Sequence, residues 1–463
     1  MTAISSLFFP LYSGLWRAAQ PWLRRHKRLA DGFSQRLVPD DWPGMAKRRA
    51  GRPRIWLQAA SGGEARLLQA LIPALEQKLG QSDLLCTSCT RQGLDILASI
   101  RPAQDSSLRS AFFPLDRPDL MEKAVAQADP DVLVLLETEL WPSLLRTARS
   151  RKLPVLAVNG RLTPKSRRAY GLAAPLWRAL APDRVLAVSE EDAARFASLF
   201  GASCAVSVMP NIKFDLAGAF AGAAPDKDCA ALRKALGLGS DALVLLFASV
   251  REQEEDLLLP VLAELHGTAI AGRPLRLVLA PRHMQRLEAW RDKLAGLGIN
   301  SSPRSIAGRE GSRQEGSDRE GSGQEGRALI LHNRFGEMPD LYALADAAFV
   351  GGSLAPLGGQ NFLEALALGV SPFVGPHVQN FAWAGEDLFS LGLARRVPDS
   401  QALLEALKRE LPLLAAGAYS EQSAAAARRR RQKDIQEAFR LFLAPRLGGA
   451  DLAAGVIAAS LKK

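Results

Sequence analysis

Between residues 54 and 200 the chain repeats one unit: a short apolar run, a turn, then a stretch with apolar residues at helical spacing. Apolar runs at 54–59, 83–87, 132–136, 154–158 and 184–188 predict strands. Amphipathic stretches at 64–79, 90–99, 117–127, 141–150 and 190–200 predict the helices between them. Such alternation implies a parallel sheet with helices on both faces. After Asp215 the stretch "LAGAFAGAAPDK" reads as a linker. A second series then predicts strands at 242–248, 275–280, 328–332, 346–350 and 371–374. The fold class is therefore α/β. Residues 45–218 and 241–463 form two doubly wound, Rossmann-like domains, 219–240 links them, and the final helix can pack back on the first domain. Ligands of such sheets bind outside the carboxyl ends of the strands.

Two segments stand apart from this pattern. "AGREGSRQEGSDREGSGQEG" (307–326) is polar and repetitive without an apolar face, and predicts a disordered surface insertion. Residues 1–44 begin with an apolar run that Pro10, Arg17 and Pro21 interrupt, so it lacks the roughly 20 apolar residues of a spanning helix. Phe8, Phe9, Tyr12, Leu15, Trp16 and Trp22, followed by Arg24-Arg25-His26-Lys27-Arg28, suit a membrane interface on the cytoplasmic side. A helix packed on the protein's own core is the alternative, and a single span is the third reading.

Composition narrows the classes. With 463 residues, 48% hydrophobic and 23% charged, the chain is a folded protein of about two domains. A net charge of +11 implies an acidic partner, such as an anionic membrane surface or a phosphorylated substrate. Aromatics make up 6% and do not alternate with basic residues, which argues against nucleic acid as a partner. Cys86 and Cys89 form a single C-x-x-C with no second pair and no nearby His, so a zinc site is not expected. They read as small strand-end residues of a reducing compartment. The basic run Arg428–Arg431 lies on a predicted long helix, as a solvated face or a contact for anionic lipid.

Candidate chemistry gathers where strands hand over to helices. "ASGGEARLL" (60–68) puts Glu64 beside Ser61, Gly62 and Gly63. Glu64 is either a helix N-terminal carboxylate or a catalytic one. In "LLETELWPSLLRTA" (135–148) Glu139 precedes Trp141-Pro142, and in "VNGRLTPKSRRAY" (158–170) Asn159, Arg161 and Ser166 follow the next strand. The second domain offers Ser249 in "FASVREQEE", Arg282 and His283 in "APRH", and Gly336, Glu337 and Met338 in "FGEMPDLY". It also offers the turn "GGSLAPLGGQNFLEALALG" (351–369) with Ser353, Gly358, Gly359, Asn361 and Glu364. Glycines admit close backbone approach, and a helix starting near Asn361 would present N–H groups to phosphate. Glu364 would accept from ribose hydroxyls. These groups suit a nucleotide sugar.

In combination these stretches, with "MPNIKFD" (209–215) and "GVSPFVGPHVQNF" (369–381), resemble the 3-deoxy-D-manno-octulosonic acid (Kdo) transferases of lipopolysaccharide biosynthesis, in order from about residue 7 to 440. The resemblance implies a GT-B fold, two domains facing a cleft, and inverting transfer of Kdo from CMP-Kdo to a lipid A precursor at the cytoplasmic face of the inner membrane. It implies Glu64 as general base and Glu139 as a second essential acid on the acceptor side, with Ser61, Gly63, Asn159, Arg161 and Ser166 nearby. Arg282, Gly336, Glu337, Met338, Asn361 and Glu364 match positions that hold the cytidine nucleotide, and Ser249, His283, Ser353 and Gly359 belong to the same donor stretches. No cofactor and no metal are expected. Asp129-Pro-Asp131 precedes its strand and so sits on the wrong edge for a metal-binding D-x-D. The chain departs from the family pattern at Gln58, Val250, Arg251, Gln253 and Gln360. Two rival readings follow: a GT-B transferase using another nucleotide sugar on a membrane lipid, and a degenerate homologue that binds without turnover.

Overall fold

The computed structural model describes residues 3–26, 29–44, 47–103, 106–222, 229–304, 329–334, 336–416 and 421–461. The chain divides into two compact units, Met1–Leu216 with Arg446–Lys463, and Ala217–Pro445.

The first unit holds seven parallel strands: β1 (Arg54–Ala59), β2 (Asp83–Ser88), β3 (Ser107–Phe112), β4 (Val132–Leu136), β5 (Val155–Gly160), β6 (Arg184–Ala187) and β7 (Ala205–Val208). Their order is β3-β2-β1-β4-β5-β6-β7. Successive side chains leave opposite faces of a strand. Trp56, Leu85, Leu133 and Leu135 accordingly join Met121, Leu144 and Phe196 in one core layer. Ile55, Leu57, Leu84 and Val134 join Leu68, Leu71 and Ile457 in the other. Burial on both faces explains the continuous apolar runs, each buried Leu or Ile contributing about 1.5–3 kcal/mol.

The second unit holds β8 (Leu243–Val250), β9 (Ala269–Ile270), β10 (Arg273–Pro281), β11 (Ser301–Arg304), β12 (Leu329–His332), β13 (Ala347–Val350), β14 (Pro372–Val374) and β15 (Arg395–Arg396). The order is β11-β12-β10-β8-β13-β14-β15, all parallel, with β9 antiparallel on β10. Both units are thus parallel-sheet α/β structures. Strands β3, β7, β11 and β15, which the hydrophobic pattern did not reveal, are the sheet edges. An edge strand buries less of its surface and carries polar residues, so it shows no apolar run. In each sheet the chain reverses its direction of travel beside the first strand, at β1/β4 and at β8/β13, and these switch points open a crevice at the strand ends.

The N-terminal segment departs from the membrane-interface expectation. Residues Ala3–Leu23 are one helix that runs through both prolines. Phe9 is buried in the first unit's core, with the Arg146 guanidinium 4.5 Å above its ring. Tyr12 donates to the buried Asp116 at 3.0 Å, and Phe8 and Trp16 pack on the same core. The protein's own core therefore takes up one face of this helix. A membrane-associated N-terminal helix is not supported. Among the described residues, only Gln422–Ser460 is a helical stretch long and apolar enough to cross a membrane, at the other end of the chain. Its apolar end, the helix Gly449–Ser460, places Ala450, Ala453, Ala454 and Ile457 in the first unit's core.

Asp215 fixes that helix, accepting from the Gly448 and Ala450 N–H groups at 2.7 and 2.8 Å. A Cβ on Gly449 would lie 2.3 Å from the Pro210 carbonyl oxygen, so only glycine permits this approach. Of the 219–240 linker, residues through Gly222 complete the helix Ile212–Gly222 and Cys229–Ala235 form another, while 223–228 lie outside the described residues. Alanine-rich sequence favours helix over an open linker. The 307–326 insertion also lies outside the described residues. Cys86, Cys89 and Cys204 are free, and burial pushes the Cys86 and Cys89 thiols up to about 12.

Candidate active site

In the first unit the candidate residues Glu64 and Glu139 sit at the carboxyl ends of β1 and β4. After β1 the helix Gly62–Leu79 begins with Ser61 as its N-cap, accepting from the Glu64 N–H at 3.5 Å. Glu64 reaches back, accepting from the Ala60 N–H at 2.6 Å and from the Ser61 hydroxyl at 3.1 Å. This reciprocal S-x-x-E arrangement satisfies orphan donors of the helix and holds the carboxylate in one place. Gly63 is exposed; a Cβ on Gly62 would meet the Gln92 side chain at 2.9 Å.

After β4, Glu139 accepts from the Trp141 indole at 2.7 Å and from the Gln58 amide at 3.3 Å. Gln58 is fully buried on β1 and itself held by Thr87, which also accepts from the Trp56 indole. Glu137 pairs with Lys213 at 2.7 Å. Three carboxylates therefore meet at the β1/β4 switch point. Burial, then the charges of Glu139 and Glu137, raise the Glu64 carboxyl to about 8, outweighing the Ala60 and Ser61 hydrogen bonds. Burial also raises Glu139, against the bonds from Trp141 and Gln58.

The neighbouring residues have structural duties. Asn159 is fully buried with φ +58° at the end of β5, and its Oδ1 accepts from the Ile212 N–H at 2.9 Å. Asparagine tolerates that left-handed conformation better than most residues. Arg161 follows, its carbonyl accepting from the Thr138 hydroxyl. Ser166 is held by the Thr163 cap of the helix Pro164–Gly171. Asp129 and Asp131 lie ahead of β4, where Arg48 binds both at 3.1 and 2.9 Å.

In the second unit, Ser249 lies in the last two residues of β8, and Arg282, His283 and the 351–361 turn follow β10 and β13, at the carboxyl edge of that sheet. Ser249 has φ +53°. Arg282 is exposed, its N–H donating to the Val250 carbonyl at 2.8 Å. His283 is held below the usual histidine range by burial and by Arg251 and Arg282. Gly336 takes φ +85°, and Glu337 lies 3.3 Å from the buried His332. Met338 opens the helix Met338–Leu344.

The first part of the glycine-rich turn is held from within the second unit. Fully buried Glu254 accepts from the Gly352, Ser353 and Leu354 N–H groups at 2.5, 2.8 and 2.9 Å, and from Arg251 N–H at 3.0 Å. Those donors are spent on a carboxylate of the chain. Ser353 is itself fully buried, donating to the Val350 carbonyl and accepting from the Gly375 N–H. Gly359, at φ +84°, donates to the Gly352 carbonyl. The expected helix starts at Leu363 and runs only to Ala367. Asn361 and Glu364 survive as a polar pair, joined at 2.8 Å.

Sequence reasoning missed Glu254, Glu137, Gln58 as a hydrogen-bonding group, and Lys213. "EQEE" offers three similar glutamates, and nothing in their order says that Glu254 takes the 352–354 turn while Glu255, also buried, takes Arg286. Glu137 stood two residues from Glu139 in the same motif, which was the available signal.

Residues 31–216 match the family described as 3-deoxy-D-manno-octulosonic-acid transferase (kdotransferase). The chain is 34% identical over 433 residues to a 3-deoxy-D-manno-octulosonic acid transferase of Bordetella pertussis, covering 92% of each. It is 28% identical to a protein of the same description from Haemophilus influenzae, covering 71% of each. Its fold is similar to that of a glycosyltransferase from Rickettsia africae, with 13% identity, a TM-score of 0.54, and 89% of this chain and 99% of that one covered.

Proposed function

Since the chain belongs to the 3-deoxy-D-manno-octulosonic acid transferase family, we propose that this glycosyltransferase, of the GT-B class, moves Kdo from CMP-Kdo to a lipid A precursor. The observation that carries the reading is the carboxylate cluster at the β1/β4 switch point, with Glu64 raised to about 8 beside Glu139. An acceptor hydroxyl attacking the anomeric carbon must lose its proton, and a positioned carboxylate with high proton affinity is a stronger base than an ordinary one. Glu64 takes that proton. Glu139, steadied by Trp141 and Gln58, orients the acceptor. Arg282, His283, Glu337, Met338, Asn361 and Glu364 hold the cytidine monophosphate portion. Arg282 offsets charge on the departing phosphate, so no metal is required. The lipid acceptor sets the location, the cytoplasmic face of the inner membrane, and the +11 charge favours its anionic surface.

A mass-spectrometric assay tests this. Detergent-solubilised protein, a phosphorylated lipid A precursor and freshly generated CMP-Kdo should yield a product heavier by Kdo, chelator present or not. Glu64→Gln should lower the rate by roughly 100-fold or more with CMP binding kept. The wild-type rate should climb with pH and level off above about 8, where Glu64 is ionised. Equal activity in Glu64→Gln refutes the base assignment. No transfer with CMP still bound favours a binding-only homologue.

A further inference from the structure

The basic run 428–431 does not behave as one surface face. Arg429 and Arg430 are exposed, whereas Arg428 is 5% exposed and Arg431 turns inward with it. Both reach Asp346, just ahead of β13: Arg428 Nε at 3.1 Å and Arg431 Nη2 at 2.8 Å from the same oxygen. The Asp346 side chain is fully buried, and its other oxygen accepts from the Val244 N–H at 3.0 Å.

Two more buried arginines stand at the same amino-end edge of the second unit's sheet. Arg233, 4% exposed, donates to the Gly239 and Ala242 carbonyls. Arg273, 5% exposed and the first residue of β10, donates through Nε to the Asp241 carbonyl. Burial and the charges of Arg428 and Arg273 lower Arg233 to about 10, against the opposing pull of Asp346 and Asp241. Burial, Arg428 and Arg431 lower Arg273 likewise, against Asp346 and Asp241. Four guanidiniums thus face Asp241 and Asp346, and with the exposed Asp434 of the adjoining cavity counted an excess of one positive charge remains. Glu410 is engaged separately by Arg395 at 2.8 Å.

The hydrogen bonding shows the same deficit. Arg233 Nη1, Arg273 Nη1 and Nη2, and Arg428 Nη2 are buried with no acceptor. A buried donor left without an acceptor destabilises the fold, the more so when it is charged. Four in one net-positive cluster call for an acceptor that brings negative charge. A cavity of about 260 Å³ opens beside Arg428 and Arg431, lined also by Asp346, Arg395, Glu410 and Asp434. That space is ample for a tetrahedral oxyanion and small for a nucleotide or a sugar lipid.

We propose that Arg428 and Arg431, backed by the buried Arg233 and Arg273, form a binding site for a phosphate-class anion at the amino-end edge of the second unit's sheet. Guanidinium forks match phosphate oxygens bidentately. β8 and β10 separate this edge from Arg282 and the donor residues by roughly 25 Å at the usual rise per residue. The anion would fasten the helix Glu421–Leu443, which carries Arg428 and Arg431, to β10 and to the helix Cys229–Ala235.

The test uses the full chain and inorganic phosphate, with chloride at matched ionic strength. Equilibrium dialysis should retain phosphate, and Tm should rise saturably. Both effects should persist in Arg282→Ala and weaken about tenfold or more in Arg273→Gln and in Arg428→Gln. Vesicles of phosphatidylcholine with or without phosphatidate form a second arm. Retention of free phosphate identifies a soluble anion, and phosphatidate-dependent binding lost in Arg428→Gln identifies a lipid headgroup. If the glutamine variants do not fold, diffraction from wild-type crystals soaked in tungstate should place the metal against Arg273 and Arg428. Failure of both phosphate and phosphatidate to bind, binding undiminished in folded Arg428→Gln, or tungstate found only elsewhere overturns the proposal.

Discussion

Glu64 does two things with one side chain. It closes the N-terminus of the helix Gly62–Leu79, and it stands with Glu139 and Glu137 in a crevice that raises its proton affinity to about 8. The sign of its effect on stability follows. A carboxyl whose folded value lies above its unfolded one favours the folded state below the unfolded value, and that contribution is lost as pH rises through the folded value. Glu64→Gln removes the ionisation altogether. Its stability relative to wild type should therefore rise between pH 5 and pH 9, read as the difference in urea midpoints. A difference that falls over that range would mean the carboxylate is stabilised by its hydrogen bonds instead. Glu254 is a buried acceptor for four backbone donors. Glu254→Ala should cost roughly 3 kcal/mol or more, because each orphaned donor costs about 1–3 kcal/mol. It should also weaken CMP binding, since the 351–354 turn loses its anchor. Unchanged stability by chemical denaturation would contradict this role.

At the level of elements, the two ends of the chain are committed by single carboxylates. Asp116 accepts from the Ser143 and Leu144 N–H groups at the start of the helix Pro142–Ser150 and from the Tyr12 hydroxyl of the N-terminal helix. Asp215 performs the same service for the helix Gly449–Ser460. Asp215→Ala should destabilise the first unit by about 1 kcal/mol, the usual cost of a lost cap. Hydrogen exchange should quicken first in residues 449–460, ahead of the central strands, as a locally loosened element does. Uniform acceleration across the sheet would argue that the cap holds the whole unit. The motif "MPNIKFD" thereby gains a physical meaning: Met209, Ile212 and Asp215 join β5, the following helix and the C-terminal helix.

At the level of the whole molecule, each unit owns a core. The first is built around Trp56, Leu133 and Ile457, the second around Phe247, Leu279 and Phe349. A ligand that binds one unit stabilises that unit by mass action, about 2.7 kcal/mol at a hundredfold excess over Kd. Calorimetry with CMP should therefore shift the transition of the second unit. A core truncation in the first unit, Leu156→Ala, should shift the other. If CMP moves the transition that Leu156→Ala lowers, the donor assignment to the second unit is wrong.

The central strands of both sheets and the S-x-x-E turn were legible because local chemistry dictates them. Strands buried on both faces must be apolar throughout, and a cap followed by a glutamate three residues on signals a helix start. The match of motifs in order carried the family reading further than any one motif could. What the pattern could not supply was partnership at a distance. Edge strands such as β3 bury too little to show a run. Glu254 resembles its neighbours in "EQEE" until Gly352, Ser353 and Leu354 come to it across 98 or more residues. Arg428 looks like Arg429 until the helix rotates one toward Asp346 and the other outward. Sequence determined which segments would be buried and where the strand ends would lie. Only the tertiary structure decided which polar groups would be buried with them, because a buried charge is defined by the partner brought to it from elsewhere in the chain.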